Sequence, residues 1–441
     1  MNDDDPKTPS ASPPEGSLAG LGRPGARPGD APARPTAIDA VTQIRDPATI
    51  RSRCASITQA VGDGRSAHFK LDRSRLGEVA ARVEQMTRAQ YPDLRIPYHS
   101  RWRHFETGGV DRKAEMDALL AERNTAEQAR ARIDLSVVSV LLDAGAGADW
   151  KFQEAESGAS FSRSEGLGVA SFRAFMGGAF SALPDDPLRV DASALQRIDG
   201  DTLRRWFQVS GNNPLVGLEG RAALLKRLGD TLQKYALQHG GEARPGSLFD
   251  TLTDQGTRLQ LSAADVLRAL LDRFSSVWLT GSKLHNEPLG DVWRHAWAGG
   301  EGLSAGWVPF HKLSQWLAYS LLEPFEWAGV TVTGLDALTG LPEYRNGGLF
   351  VDGGVVLLRD PRLRERVWKP ADDFIIEWRA LTVSLIDELA PLVRQRLGRS
   401  AEQMPLACVL EGGTWATGRA LARELRDGNP PFKIDSDGTV F

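Results

Sequence analysis

Apolar residues recur at helical spacing over most of this chain, and no other feature of the sequence constrains the fold as strongly. Five stretches repeat an apolar side chain every three or four positions, which is the period of one helix face. These stretches begin at Ile133, Leu224, Val266, Leu313 and Ile375. Strand signals are few and short. The pattern therefore predicts a mostly α fold, a single large helical domain with a minor β element.

Particular residues predict where some elements begin and end. Ser262 is a candidate N-cap for the helix around Val266, because its hydroxyl can accept a hydrogen bond from a free backbone N–H. Pro324 lacks the N–H that a helix needs, so we expect the helix around Trp316 to end there. Phe161 to Leu167 is a weak strand candidate.

Residues 1 to 36 differ from the rest of the chain in composition. They are rich in Pro, Gly, Ala and Asp, with prolines at positions 24, 28, 32 and 35. Such a segment cannot bury enough apolar surface to offset the entropy that it loses on ordering. We expect a disordered tail at residues 1–36, followed by the mostly helical domain at residues 37–441.

Composition and charge narrow the class of protein. A hydrophobic content of 41% over 441 residues is enough for a large core. A formal net charge of −4 argues against nucleic acid as the partner. Cys54 and Cys408 are too few for a disulfide framework or a zinc site. The N-terminus is acidic, unlike a signal peptide, and no apolar run approaches the roughly 20 residues of a membrane span. We expect a soluble cytoplasmic protein without membrane contact.

Asp352 lies between two glycine pairs inside an apolar segment that runs from Gly347 to Leu358. One interpretation is an Asp-Gly turn that joins two strands in a β-hairpin. The other is a buried acid, whose pKa rises unless a cation compensates, and such acids concentrate at reaction centres. The pattern by itself leaves both open.

The segment His99–Phe105 is dense in functional side chains. Arg101 and Arg103 could hold a phosphate, because the guanidinium fork matches the geometry of an oxyanion. The alternative is a solvated basic segment that uses Trp102 as a packing anchor. His99 and His104 are five positions apart and lack thiolate partners, so we expect no metal site here.

Gly166-Leu167-Gly168 imitates the start of a dinucleotide-binding loop, but its third glycine is missing. We expect instead a tight turn that leads into a helix carrying Phe172 and Phe175. The sequence contains no Gly-Lys-Ser phosphate-binding loop. Neither NAD, ATP nor a flavin is indicated, and no cofactor is expected.

Three more charged residues lie in predicted helices. Lys312 falls in the first turn of a helix, where the dipole disfavours a cation unless it faces an acid such as Asp352. Glu377 and Arg379 are two positions apart, so they cannot pair with each other on a helix. Either both are exposed, or at least one faces inward or contacts a partner. Glu411 precedes two glycines, and a turn is its default.

Several segments together resemble the uracil catabolism protein 4 family, and the likeness covers about residues 40 to 441. The segments are Ile96–Phe105, Ser164–Gly168, Leu289–Trp293, Phe310–Leu317 and Gly347–Gly354. The resemblance implies a place in a pathway that converts uracil to a nucleotide, opens its ring and ends with urea. Association with other uracil-catabolism enzymes is a further expectation.

A more distant resemblance is to the queuosine salvage nucleosidases, helical proteins with a DNA-glycosylase-like (helix-hairpin-helix) fold that hydrolyse an N-glycosidic bond. The similar segments are Asp134–Trp150, His311–Gln315, Phe350–Asp352 and Ile376–Ala380, with His99 where those enzymes have Pro-Leu-His. The resemblance implies that Asp352, Lys312, Glu377 and His99 line one pocket. The Tyr-Arg that follows their aspartate is Gly353-Gly354 here, and Leu284–Trp307 has no counterpart. The substrate must therefore differ.

Together these features predict an N-glycosidase that releases urea, or a ring-opened uracil fragment, from a pentose or pentose phosphate. Asp352 would stabilise the charge at the anomeric carbon, and Glu377 or His99 would protonate the departing nitrogen. The expected substrate-binding residues are Lys312, Arg101 and Arg103 for the phosphate, Trp150 and Trp316 as walls, and Arg379.

Two other functions remain open. The protein could be an amidohydrolase that acts on the ureido carbonyl, although the sequence offers neither a metal cluster nor a nucleophile–base pair for it. It could also be a non-catalytic partner of the ring-opening enzyme. In that case Asp352→Asn would leave the flux through the pathway intact.

Overall fold

The computed structural model describes residues 36–143, 145–147, 149–278, 280 and 282–435. The tail expected at residues 1–36 lies outside the described residues except for Thr36, which caps the first helix. The Thr36 hydroxyl accepts a hydrogen bond from the Asp39 N–H at 3.2 Å, and the Thr36 N–H donates to the Asp39 carboxylate at 2.8 Å. This reciprocal capping box fixes where the helical domain begins.

Helices dominate the described residues, as the apolar periodicity predicted. The first nine are α1 (Ala37–Arg45), α2 (Pro47–Gly62), α3 (Leu76–Gln90), α4 (Trp102–Phe105), α5 (Arg112–Leu120), α6 (Thr125–Leu141), α7 (Arg163–Met176), α8 (Ala192–Leu195) and α9 (Gly200–Trp206). They are followed by α10 (Leu218–His239), α11 (Ser247–Thr253), α12 (Ala263–Phe274), α13 (Lys312–Trp327), α14 (Tyr344–Asp352), α15 (Asp373–Leu397), α16 (Leu406–Val409) and α17 (Trp415–Arg426). A π-helical turn, Leu410–Thr414, joins α16 to α17.

The β structure of the described residues consists of two-stranded pairs. The antiparallel pairs are Phe69–Leu71 with Val356–Leu358, Lys151–Gln153 with Ser160–Ser162, Lys283–Leu284 with Glu287–Pro288, and Val292–Arg294 with Trp307–Pro309. The parallel pairs are Gln260–Ser262 with Thr331–Thr333 and Val367–Trp368 with Lys433–Ile434. The fold is therefore a mostly α single domain, and its likeness to the DNA-glycosylase-like fold stays a prediction.

The core is built around helices that are buried on most faces. Every residue from Ala131 to Leu141 of α6 is buried, and α6 packs against α13. The long helix α15 packs against α2, α3 and α14, and α14 also packs against α17. The buried stretch of α6 contains two charged residues, Arg132 and Asp134, which are paired with Asp117 and Arg244. No helix in the described part of the chain is long and apolar enough to cross a membrane.

Two boundary predictions have different outcomes. The Ser262 hydroxyl accepts a hydrogen bond from the Asp265 N–H at 3.0 Å, so the predicted N-cap of α12 is confirmed. The predicted end of α13 at Pro324 is wrong, because the helix continues to Trp327. The proline leaves the carbonyl of Ser320 without its usual helical donor. The indole N–H of Trp102 donates to that carbonyl instead, at 3.0 Å.

The hairpin interpretation of the Asp352 segment is wrong. Residues Tyr344–Asp352 form α14, and Val356–Leu358 pairs with the distant strand Phe69–Leu71. Gly347 is needed for close packing rather than for a turn. A Cβ atom there would lie 2.6 Å from the ring of Trp378, whose N–H donates to the Gly347 carbonyl at 3.2 Å.

The glycine turn at Gly166–Ser171 is also wrong, because these residues lie within α7. The strand expected from Phe161 to Leu167 is limited to Ser160–Ser162, and the helix begins at the next residue. Gly168 permits a close approach: a Cβ atom at this position would lie 2.8 Å from the Cβ of His104. Gly168 thus lets α7 pack closely against the His99–Phe105 segment.

Candidate active site

A cavity of about 300 Å³ lies where the segment that follows His99 meets the N-terminal ends of α7, α13, α14 and α17. Its titratable side chains are His99, Arg103, His104, Asp143, Glu165, Lys312, Glu343, Tyr344 and Glu411. Helix N-termini carry partial positive charge, which favours acidic side chains near them. Three of these ends begin a helix, whereas α17 continues directly from the π-helical turn. Glu165 and Glu343 lie at the N-terminal ends of α7 and α14, where this charge favours them.

Glu343 and Lys312 form the electrostatic centre of this cavity. Glu343 is the N-cap of α14, and its carboxylate accepts hydrogen bonds from the N–H groups of Arg345 at 2.7 Å and Asn346 at 2.6 Å. Burial raises the pKa of Glu343, although these N–H groups and the charge of Lys312 oppose the shift. Burial also lowers the pKa of Lys312, which the negative charge of Glu343 opposes. Each group therefore stabilises the charged form of the other.

Asp143, just after α6, is the second carboxylate whose pKa burial raises. Its oxygens accept hydrogen bonds from Arg101 at 2.6 Å and from the Ser164 hydroxyl at 3.0 Å. Arg101 is fully buried and also donates to the Ser139 hydroxyl at 2.6 Å. Arg101 therefore fixes Asp143 at the cavity wall.

Unlike Arg101, Arg103 lines the cavity. Its guanidinium donates to Glu323 at 2.7 Å and lies 3.1 Å from Glu106. Neither arginine belongs to a solvated basic segment, so that alternative is wrong. Trp102 between them is buried, as expected of a packing anchor.

His99 is oriented by a carboxylate. Its Nδ1 lies 2.8 Å from Glu411, which also accepts a hydrogen bond from the Tyr91 hydroxyl at 3.2 Å. Glu411 belongs to the π-helical turn rather than to a loop, and such turns are frequent at functional sites. The imidazole lies between the rings of Trp316 and Trp415, with centroid distances of 6.5 and 6.4 Å. The site thus contains a histidine whose position and tautomer are set by its neighbours.

Glu377 and Arg379 do not line the cavity. Both are buried on α15 and both contact the segment Leu284–Trp307. Glu377 accepts a hydrogen bond from the Ser66 hydroxyl at 2.5 Å and lies 3.6 Å from the imidazole of His295. Arg379 makes a two-pronged ion pair with Asp291 at 2.8 and 2.6 Å. The interpretation that both charges are exposed is therefore wrong.

Asp352 is the last residue of α14, at the opposite end of that helix from Glu343. Its carboxylate is held by both terminal nitrogens of Arg426, one of them at 2.7 Å. Trp150 is fully buried and donates to the carbonyl of Phe207 at 2.9 Å. Among the described residues, the cavity lining includes neither of them.

The structure therefore brings together His99, Lys312, Arg103 and Trp316 of the expected site residues. It places Asp352, Glu377, Arg379, Arg101 and Trp150 outside the lining of that cavity. The expectation of one pocket shared by Asp352, Lys312, Glu377 and His99 is met for two of the four.

Sequence reasoning missed Glu343, Asp143, Glu165, Tyr344 and Trp415, and it took Glu411 for a turn. One signal could have found the first: Tyr344-Arg345 directly follows Glu343, in the order acid, Tyr, Arg of the queuosine salvage nucleosidases. The sequence comparison matched Phe350–Asp352 to that segment instead, so Glu343 was overlooked. The described residues contain no group of three or more His, Cys, Asp or Glu side chains that could hold a metal ion.

Fold and site together define a mostly α, single-domain protein with a partly enclosed cavity in which acid and base side chains converge. The chain belongs to the family described as Protein of unknown function (DUF1688), whose model matches residues 43–441. It is 39% identical to uracil catabolism protein 4 of Lachancea kluyveri, over 86% of this chain and 93% of that protein. It is 38% identical to protein urg3 of Schizosaccharomyces pombe, over 89% of this chain and 96% of that protein.

Proposed function

We propose that this protein acts in uracil catabolism and hydrolyses an N-glycosidic bond between a pentose, or pentose phosphate, and urea or a ring-opened uracil fragment. The name of the Lachancea kluyveri relative supports the pathway. The observation that carries the reaction is that Glu343 and Lys312 line one cavity, where each favours the charged form of the other, together with the carboxylate-oriented His99.

Hydrolysis breaks the bond between the anomeric carbon and nitrogen, and the electron pair leaves with nitrogen. The transition state resembles an oxocarbenium ion, which a nearby carboxylate stabilises. We assign this role to Glu343 in place of Asp352, because Glu343 lines the cavity and is rigidly held by two backbone N–H groups. The attacking water adds to carbon and gives its proton to Glu343.

His99 is the proposed proton donor to the departing nitrogen. Because Nδ1 is engaged by Glu411, Nε2 is the nitrogen that remains for exchange with a ligand. Glu377, the other expected donor, contacts Ser66 and His295 instead.

The rest of the lining suits a substrate that has a planar group and polar groups. Trp316 and Trp415 supply aromatic walls, and Asp143 can accept hydrogen bonds from sugar hydroxyls. Arg103 and Lys312 supply the positive charge for a phosphate, if the substrate carries one. The volume of about 300 Å³ lies at the small end of ligand sites.

The test is to incubate the purified protein with an N-ribosylurea, with and without a 5-phosphate, and to quantify free urea and free pentose. Urea and pentose released in equal amounts support the proposal. Ammonia with a glycosylamine, and no urea, indicates attack on the ureido carbonyl and therefore the amidohydrolase. A complete lack of turnover with these substrates and with the ring-opened nucleotide contradicts catalysis and favours a non-catalytic partner.

A further inference from the structure

Glu377 and Arg379 have no part in the proposed chemistry, yet they are among the most buried charges of the protein, at 2% and 1% exposure. Both hold the segment Leu284–Trp307 against α15, through His295 and Asp291 respectively. Burying an ion pair costs desolvation energy. The ion pair of Arg379 with Asp291 is therefore better explained by what it holds in place than by a gain in stability.

Asp291 connects that segment to the start of α13. Its backbone carbonyl accepts hydrogen bonds from the N–H groups of Phe310 at 3.0 Å and His311 at 3.2 Å. Its carboxylate accepts one from the N–H of Lys312 at 3.0 Å. The backbone N–H groups of three successive residues at the start of α13 thus all donate hydrogen bonds to Asp291.

This turn is conformationally demanding. His311 has a φ of 48°, in the left-handed region that residues with a Cβ rarely adopt. The geometry of the turn at His311 sets the direction of α13. Lys312 is the first residue of that helix. A carboxylate at the helix N-terminus also offsets the unfavourable placement of a lysine there.

We infer that Asp291, held by Arg379, is the positioning residue that fixes Lys312 at the cavity. The inference rests on the proposed function in that Lys312 is taken to act on the substrate. Asp291 itself contacts the backbone of Lys312 and acts through it. The segment Leu284–Trp307 is then a support for the site, built into this chain where the queuosine salvage nucleosidases have no counterpart.

The charge on the Lys312 amine provides a readout that needs no substrate. Burial lowers its pKa, Glu343, Asp291 and Asp143 oppose that shift, and Arg379 adds to it. Burial is the largest of these causes, so a Lys312 that leaves its place at the cavity regains much of the ordinary pKa of lysine. Loss of the Asp291 charge alone, with Lys312 still in place, would lower the pKa further. The direction of the shift in Asp291→Asn therefore separates a positioning role from a purely electrostatic one.

The experiment measures the acylation rate of Lys312 against pH in the full-length protein, by mass spectrometry with acetic anhydride. Lys312 is half-buried and lines the cavity, so a reagent of this size can reach it. We expect Asp291→Asn and Arg379→Gln both to move the midpoint up, because each releases Lys312 from its buried place. The control is Asp387→Asn, which breaks an Arg51 ion pair of 2.8 Å elsewhere on α15 and should leave the midpoint unchanged.

An unchanged or lowered midpoint in folded Asp291→Asn overturns the inference. If Asp291→Asn does not fold, Asp291→Glu decides, because it keeps the charge and a raised midpoint then reports a displaced Lys312. Turnover of N-ribosylurea is measured in parallel, and Asp291→Asn should lower kcat more than it changes KM. Raised midpoints without turnover in the wild-type protein would refute the glycosidase and keep the role of Asp291.

Discussion

The sharpest test of the proposed chemistry is Glu343→Gln, which removes one negative charge from the cavity while it keeps the shape of the side chain. A carboxylate about 4 Å from a developing positive charge, at an effective dielectric constant of about 20, contributes roughly 4 kcal/mol. A loss of that size lowers kcat by about 10³-fold. KM should change little, because the positive charge develops in the transition state.

The cost in stability should be small. Glu343 caps α14 through the N–H groups of Arg345 and Asn346, and the glutamine oxygen can still accept one of these bonds. We expect a loss of about 1 kcal/mol in the free energy of unfolding, as for other N-cap changes. A matched control is Asp199→Ala, which removes the N-cap of α9, where the carboxylate accepts the Thr202 N–H at 2.8 Å.

The assay is the rate of urea release under saturating substrate, with thermal unfolding followed on the same preparations. Glu343→Gln should remain folded and lose its turnover, whereas Asp199→Ala should be destabilised to a similar extent and keep its turnover. If Glu343→Gln retains kcat within about threefold of the wild type, the charge argument fails and Glu343 is only a helix cap.

Three further outcomes are expected. Asp352→Asn should lower the free energy of unfolding by about 3 kcal/mol, because it leaves the partly buried Arg426 uncompensated, and kcat should stay within a few-fold; a large loss of kcat in the folded variant would contradict this. Burial lowers the pKa of His311 to about 4, so the unfolded chain binds a proton that the folded one does not between pH 6.5 and 4. Stability should therefore fall by up to about 3 kcal/mol over that range, and denaturation at several pH values should show a shallower dependence in His311→Asn. Gly168→Ala should cost about 1–3 kcal/mol by thermal unfolding, since its Cβ would meet His104 at 2.8 Å, and wild-type stability would refute the packing argument.

The sequence predicted the helices well because helix formation here follows a local period. The stripes at Ile133 and Ile375 became α6 and α15, and Ser262 caps α12 through its own side chain. Pro324 was misjudged because its effect depends on a distant partner. The Trp102 indole, far away in sequence, satisfies the carbonyl that the proline leaves free.

The candidate site was less predictable because it is assembled by contacts between distant segments. His99 and Glu411 meet across most of the chain, and the orientation of Glu411 depends on a π-helical turn that has no sequence period of its own. Glu377 and Arg379 were expected to face inward or be exposed, and both face inward. They hold the segment Leu284–Trp307 in place. No pattern in the sequence predicts the conformation of that segment.

The two acids of α14 show why residue type alone is a poor guide to the carboxylate that can act in the cavity. Glu343 and Asp352 lie at the two ends of one helix, about 13.5 Å apart at 1.5 Å per residue, so they cannot serve the same reacting carbon. At the N-terminus, backbone N–H groups and the dipole stabilise the carboxylate of Glu343, which lines the cavity together with Lys312. At the C-terminus the dipole opposes a negative charge, and Asp352 is accommodated because Arg426 binds both of its oxygens outside that lining. The position of each acid on the helix, more than its residue type, therefore favours Glu343 for the proposed role.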